Sequence, residues 1–322
     1  MPDVFLTGGS GFVGGALLRR LVAEGRHVRA LARSDEAAQV VAAAGAEPVP
    51  GDLLEPSDWM GRLAGCGTLF HAAGKVALCD PGRLAVNLAG TRAVVAAAAR
   101  GGVGRVVYTS SAAVIGEARG SVGSEATQHL GRHLSAYARS KHEAEMAAFA
   151  DAKALGLDLV AVNPSSVQGP GRTHGTARIF LGFLRGKLRW AVRTRLPLVF
   201  IDDTVTAHLL AERLGRPGER YLVNGWSPTI EEAVETLREV AGVDHRVRYL
   251  PGWALTVAAT IVEKSWRAVG KRPPLCREMA REVRHGHAFD GSKAERELGL
   301  RYTPPEVWLA ETVEWYRAHG LI

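Results

Sequence analysis

Residues 5–15 read Phe-Leu-Thr-Gly-Gly-Ser-Gly-Phe-Val-Gly-Gly, directly after an apolar run at the start of the chain. This places a glycine-rich turn at the exit of a first strand, with Gly8, Gly11 and Gly14 spaced G-x-x-G-x-x-G. Gly8 permits a tight bend, and Gly11 lets the backbone approach a pyrophosphate where a Cβ would collide. Gly14 lets the following helix, Gly14–Glu24, pack closely on the strand with its N-terminal amides toward the phosphates. Alone, such a spacing also serves mere helix–strand packing.

Outward from this turn, short β-rich runs alternate with Ala-rich helical stretches. Strands are expected at Val4–Leu6, His27–Ala32, Glu47–Pro50, Thr68–His71, Arg105–Thr109 and Leu157–Asn163. Helices are expected at Asp35–Ala44, Leu84–Arg100 and Tyr137–Leu155. The alternation predicts an α/β fold with a doubly wound parallel sheet covered on both faces. Beyond Pro164, Pro, Gly and Trp become frequent. There the reading gives a strand at Leu198–Ile201 and helices at Thr204–Leu214, Ile230–Ala241 and Ala254–Val269. The expected organisation is a dinucleotide-binding domain at residues 1–164, with residues 198–224 returning to it. Residues 165–197 and 225–322 form a smaller substrate lobe.

The 322 residues are 47% hydrophobic, ample for a core. The net charge of +7 comes from arginines spread along the chain with no basic run, so no nucleic-acid partner is expected. Cys66, Cys79 and Cys276 are scattered and lack a C-x-x-C. They read as reduced thiols in a cytoplasmic protein, and no metal site is expected. A first strand near Asp3 leaves no room for a signal peptide. The apolar run Trp253–Val262 is too short to span a bilayer, which needs roughly 20 residues.

Tyr137 and Lys141 lie four apart on one helix face. Upstream, the strand Arg105–Thr109 runs out into Ser110 and Ser111, at the same sheet edge as the glycine turn, where ligands of parallel sheets sit. A phenol titrates near pH 10 and needs a neighbouring cation to exchange protons near neutrality. Lys141 can supply that charge and reach ribose hydroxyls, Ser111 can hold a substrate oxygen, and Tyr137 can move the proton.

With these residues in place, the chain resembles the extended short-chain dehydrogenase/reductase family over essentially its whole length. The matching pieces are Thr7–Gly14, Gly51-Asp52-Leu53, His71–Gly74, Val86–Thr91, Thr109–Ser111, Tyr137-x-x-x-Lys141, Asn163-Pro164, Asp202-Asp203 and Ser292–Gly299. The resemblance implies a Rossmann fold and a catalytic triad of Ser111, Tyr137 and Lys141. Cofactor contacts are implied for Thr7, Gly8, Gly11, Phe12, Val13 and Gly14. Asp52 and Leu53 would touch the adenine, and Ala72, Ala73 and Gly74 the diphosphate and ribose. Pro164 and Ser166 would flank the nicotinamide. Asp52 has a blander alternative as a helix cap, and Asn87 reads as a packing or relay residue.

The second strand ends Leu31-Ala32-Arg33-Ser34, where an NAD site would place an acidic side chain. Arg33 with Ser34 can clamp a 2′-phosphate, so NADP(H) is favoured over NAD(H). An Arg33 that touches only water is the alternative.

Within the family, sugar-nucleotide enzymes carry arginines that grip a diphosphate. Here the corresponding stretches read Val160-Ala-Val-Asn163, Leu196–Asp203 with Arg195 one residue off, and Arg284-His-Gly-His287. The usual tyrosine after the Ser pair is Ile115. These departures favour a largely apolar substrate. The chain looks like the dihydroflavonol-reductase and hydroxysteroid-dehydrogenase branch, near bacterial proteins labelled hopanoid-associated sugar epimerase. Lys75, Val167, His174 and Phe180 are candidate substrate contacts alongside Ser111. Gly252–Val269 reads either as an apolar lid or as a surface helix that meets membranes. Relatives pair the helices at Leu84–Arg100 and Tyr137–Leu155 across a dimer, so a homodimer is expected. The expected function is an NADP(H)-dependent oxidoreductase acting on a carbonyl or secondary alcohol of a small molecule. The alternatives are a sugar epimerase or dehydratase, and a regulatory protein that binds NADP without turnover.

Overall fold

A computed structural model describes residues 3–55, 58–80, 82 and 84–322. The chain runs β1 (Asp3–Thr7), α1 (Phe12–Ala23), β2 (Val28–Ala32), α2 (Asp35–Ala43), β3 (Glu47–Pro50), β4 (Cys66–His71), α3 (Ala85–Arg100), β5 (Arg105–Thr109), α4 (Ala136–Leu155) and β6 (Asp158–Pro164). It continues through β7 (Ser166–Gln168), α5 (Ala177–Leu184), β8 (Trp190–Val192), β9 (Leu198–Phe200), α6 (Ile201–Leu214), β10 (Arg220–Val223) and α7 (Ile230–Ala241). Last come β11 (Arg248–Leu250), α8 (Gly252–Ala268), α9 (Arg277–His285), α10 (Ser292–Leu298) and α11 (Pro305–Ala318). Among the described residues, no helix is long and apolar enough to cross a membrane.

Seven strands form one parallel sheet in the order β10-β6-β5-β4-β1-β2-β3. This is the doubly wound arrangement, with its order reversing beside β1. Alternation along each strand divides the core between the two faces. Val4 and Leu6 pack with α1 residues Leu17, Leu18 and Leu21 and with much of α6, whereas Phe5 packs with Trp59 and with Val94 and Val95 of α3. On β5, Val107 joins the first cluster, and Val106 and Tyr108 join the second.

The expected strands and helices of the first half lie within a few residues of those observed. The helix after the glycine turn starts at Phe12, earlier than expected, because Gly11 is itself the extended N-cap. Asp35 opens α2 behind the Ser34 cap. β9 pairs with β7, outside the central sheet, and α6 starts at Ile201, so that Asp202 and Asp203 meet its positive end. β7, β8, β10, β11, α5, α9, α10 and α11 carry no element assignment from sequence. α9, Arg-Glu-Met-Ala-Arg-Glu-Val-Arg-His, has too few apolar residues to show a buried stripe.

The cysteines require a correction. Cys79 and Cys276 form a disulfide, with Cα atoms 5.9 Å apart, and Cys66 alone is a thiol. Scatter in sequence says nothing about distance in space, and the fold brings the segment after β4 against the start of α9. The cysteine content therefore gives no support for a reducing compartment.

Two buried histidines tie the exit edge of the sheet together. Thr7 Oγ1 accepts the Ala73 amide at 3.3 Å and meets His71 Nδ1 at 2.7 Å, and His71 Nε2 meets Thr91 Oγ1 at 3.1 Å. His208 Nδ1 donates to the Thr204 carbonyl at 2.7 Å, and its Nε2 meets Thr109 Oγ1 at 2.8 Å. Burial, helped by the Lys141 charge, pushes His71 down to about 3, and burial pushes His208 down to about 4. Both folded values lie below the unfolded one, so the unfolded chain binds protons that the native state refuses, and stability falls as pH drops below about 6.5. Between pH 7 and pH 5 each histidine is expected to cost about 2 kcal/mol. Thermal unfolding across that range checks this, and His71→Gln should shallow the acid slope.

Candidate active site

The site is built on the exits of β1, β4, β5 and β6. Gly8 has φ +82°, and a Cβ there would stand 2.6 Å from the Ala73 amide nitrogen and 2.7 Å from the Ala72 carbonyl carbon. Gly14 abuts the Gly8 carbonyl so closely that no side chain fits between them. A Cβ on Gly11 would meet only the Gly8 carbonyl, at 3.2 Å, and would otherwise stand in the open space before the helix. α1 has no side-chain cap. Phe12 and Val13 follow in its first turn, partly buried against the core. Bare amides beside a groove that any larger residue would fill suit an extended diphosphate.

The β4 exit, Ala72–Gly74, faces this turn. It is held by Asn87, whose Oδ1 accepts the Lys75 amide at 2.7 Å, while Nδ2 donates to the Lys75 carbonyl at 3.0 Å and to Ser140 Oγ at 2.9 Å. Ser140 Oγ donates in turn to the Tyr137 carbonyl at 2.8 Å. Asn87 is thus a clamp between the β4 exit and the helix that carries Tyr137.

Ser135 caps α4, placing Tyr137 in its first turn and Lys141 one turn further on the same face. Lys141 Nζ donates to the Thr109 carbonyl at 2.9 Å and to Tyr108 OH at 3.1 Å, and lies 3.9 Å from where a Cβ on Gly74 would stand. Burial works against its ammonium, but the Tyr108 and Tyr137 phenols and Glu145 outweigh it and hold the group above the usual lysine range. Lys141 therefore stays cationic beside Tyr137. Ser111 Oγ accepts the Ala113 amide at 3.2 Å, and the Ser111 carbonyl accepts from Asn163 Nδ2 at 3.3 Å. Asn163 also donates to the fully buried Glu145 at 2.5 Å, which pairs with Arg220 at 3.1 Å.

The other anticipated residues divide. Arg33 is 78% exposed at the end of β2, its Nε 3.8 Å from Asp52 Oδ2. Ser34 Oγ is engaged in capping α2 through the Ala37 amide. Asp52 closes a turn by accepting the Leu54 amide at 2.9 Å, and Leu53 is buried beside Gly90 of α3. Pro164 ends β6, and Ser166 Oγ donates to Thr176 Oγ1 at 3.0 Å. Lys75 is exposed, Val167 is half-buried on β7, and His174 is an exposed loop residue bonded to Thr173 at 2.9 Å. Phe180 of α5 is 2% exposed and belongs to the main core, so its ring is buried rather than standing free in a cleft.

Two site residues escape the sequence reading. The Arg172 guanidinium lies 5.2 Å over the Phe12 ring and has no carboxylate partner among the described residues. The Gly169-Pro170-Gly171 run before it was its only signal. Glu278 of α9 accepts the Cys79 amide at 2.9 Å and also the Ala136 amide at the head of α4. Its polar helix gave no signal.

The profile of the NAD dependent epimerase/dehydratase family matches residues 4–223. The chain belongs to this family, within the extended short-chain dehydrogenase/reductases, and is an NAD(P)-dependent oxidoreductase. It is 33% identical to a Synechocystis sp. protein provisionally named dihydroflavonol 4-reductase, over 99% of this chain and 95% of that one. It is 32% identical to the 4-hydroxy-2-methyl-3-oxo-4-farnesyl-3,4-dihydroquinoline-1-oxide ketoreductase of Stigmatella aurantiaca, over 92% and 90%. The crystal structure of gox2253 superposes with a TM-score of 0.86 at 29% identity, covering 99% of both chains.

The contact between Gly8 and Ala72–Ala73 makes a direct prediction. Gly8→Ala forces a side chain into a left-handed residue, at roughly 1–2 kcal/mol, and pushes the β4 exit away. Calorimetry with nucleotide titration should show a Tm lowered by several degrees and no measurable dinucleotide binding.

Proposed function

We propose that the protein is an NADP(H)-dependent reductase of a carbonyl on a largely apolar small molecule, with oxidation of the matching secondary alcohol as the reverse reaction. The observation that carries this reading is the fixed Lys141 ammonium between the β5 exit and Gly74, with Tyr137 one helical turn before it and Ser111 on the adjoining segment.

The glycine turn and the head of α1 would hold the diphosphate, Arg33 a 2′-phosphate, Asp52 and Leu53 the adenine, and Ala72–Gly74 the ribose. Pro164 and Ser166 would flank the nicotinamide, and Lys141 would hold the nearby ribose hydroxyls. When bound, the nicotinamide supplies a hydride to the carbonyl carbon or takes one from the alcohol. Ser111 Oγ orients the substrate oxygen, and Tyr137 gives that oxygen its proton as negative charge builds there. The phenol regains its proton from solvent, and the Lys141 charge stabilises it in between.

The apolar substrate is supported by what replaces a diphosphate grip. The stretch starting at Leu196 has no arginine in the expected place, and the neighbouring Arg195 is exposed and bonded to the Ser227 carbonyl at 3.1 Å. Arg284 is engaged by Thr256 at 3.0 Å, and Ile115 is buried with Leu222 and Phe289. The names of the two relatives, both reductases, support the same class. For NADP(H), support rests on an exposed Arg33 where an acidic residue would serve NAD. A homodimer across α3 and α4 belongs to this reading, and light scattering of the purified chain tests it.

Nucleotide released on denaturation, followed by fluorescence titration with NADPH and NADH, tests the cofactor. Exchangeable binding at least about tenfold tighter for NADPH is expected, which corresponds to about 1.4 kcal/mol, and Arg33→Ala should erase that preference. NAD retained through purification would overturn it in favour of a sugar epimerase. Tyr137→Phe should lower turnover by about 10²–10⁴-fold with NADPH affinity unchanged, and undiminished turnover would remove Tyr137 from the chemistry.

A further inference from the structure

Beyond the proton-transfer residues, a second cluster joins the segment that follows Ser111 to the end of α9. His287 Nδ1 lies 2.5 Å from Glu117 Oε1, and His285 Nε2 lies 3.3 Å from the same oxygen. The ligating atoms of the three residues all lie within 4.8 Å of one another. Their side chains are 2%, 10% and 19% exposed for Glu117, His285 and His287. His285 Nε2 is buried and makes no hydrogen bond. Behind the cluster, His287 Nε2 meets Glu282 Oε2 at 2.9 Å.

We propose that Glu117, His285 and His287 form a binding site for a divalent transition-metal ion of the zinc class. The Glu117 carboxylate, His285 Nε2 and His287 Nδ1 would be its ligands.

The donor set is the first argument, because two imidazoles and one carboxylate suit such an ion, with a fourth position left for water or another oxygen. Geometry is the second. Tetrahedral ligands about 2.0–2.1 Å from zinc stand about 3.3–3.4 Å apart. The His285–Glu117 separation of 3.3 Å already has that value. The closer His287–Glu117 pair would need to open by roughly 0.8 Å on the same scale. The outer partner is the third. With Nδ1 on the metal, His287 carries its proton on Nε2 and donates it to Glu282, the carboxylate–histidine–metal arrangement that fixes the tautomer and strengthens the ligand. Charge is the fourth. Glu117 and Glu282 place two carboxylates beside two imidazoles in a largely dry site, and a divalent cation balances them. The rival occupant is a proton shared between His287 and Glu117, which leaves His285 Nε2 with only its 3.3 Å approach to the same oxygen.

The test uses the full chain freed of metal by a chelator, then titrated with Co²⁺ by visible absorption and with Zn²⁺ against a chromophoric competitor. The expected result is one equivalent per chain, with the intense visible bands of four-coordinate cobalt. Glu282→Gln should weaken Zn²⁺ binding about tenfold to a hundredfold, and His285→Ala by more than that. His142→Ala supplies the control. It comes from the nearby ring cluster of His129, His133 and His142, in which the rings of His129 and His142 are 4.2 Å apart, and it should leave the titration unchanged. His285→Ala removes the 3.3 Å approach to Glu117 and leaves the His287 bonds to Glu117 and Glu282 in place, and circular dichroism checks that the fold survives. Absence of stoichiometric uptake by the unmodified chain overturns the proposal and leaves the shared proton as occupant. Uptake that is lost in His142→Ala and kept in His285→Ala overturns it equally.

Discussion

The buried ammonium of Lys141 is the constraint around which the rest of the structure is arranged. An unpaired charge taken out of water costs several kcal/mol, so every group around it must be in register. The Thr109 carbonyl and the Tyr108 hydroxyl receive two of its protons, and the Tyr108 ring lies under it at 4.7 Å. Tyr108 in turn stacks on His71, with ring centres 5.4 Å apart. Thr109 is fixed from the other face by His208 of α6. One turn further along α4, Glu145 supplies negative charge and is itself held by Asn163 and Arg220. A shift of β5 against α4 would leave the charge unsatisfied, so the geometry around Tyr137 is protected by the same interactions that hold the sheet.

Much of this was legible in the chain because the physics is local. A parallel strand buried on both faces must be a short β-rich run, and the turn after β1 must be glycine wherever another backbone comes within van der Waals distance. Gly8 against Ala73 and Gly14 against Gly8 are such places. Tyr137 and Lys141 were readable as a pair because helical spacing alone puts them on one face. Ser34 shows the limit of that reading. Its place beside Arg33 suggested a phosphate contact, whereas its hydroxyl caps α2. Asp52, with a helix cap as its blander reading, instead closes a turn and lies near Arg33.

The features that escaped are those made by contacts between distant segments. Cys79 and Cys276 are 197 positions apart, and no spacing rule joins them. Glu117 and His287 are 170 positions apart, and Arg284-His-Gly-His287 was legible only as a departure from a phosphate-binding stretch. Phe180 lies in a strongly apolar helix, and nothing in its sequence separates a cleft wall from the core in which it sits. The short pairs β7–β9 and β8–β11 depend on partners far along the chain and are too brief to carry a period of their own.

Glu278 has a consequence for how the molecule can be altered. One carboxylate holds both the Cys79 amide and the first amide of the helix bearing Tyr137, two residues from the Cys276 end of the disulfide. The start of α9 is thereby bolted to the helix that carries Tyr137. Grafting a relative's C-terminal third would have to import the bolt and its seat together, Cys276 and Glu278 along with Cys79 and the Ala136 backbone. A change at the start of α9 is accordingly felt at the head of α4, whereas the outward face of α8, where Trp253, Val257 and Ile261 are exposed, carries no part of that tie.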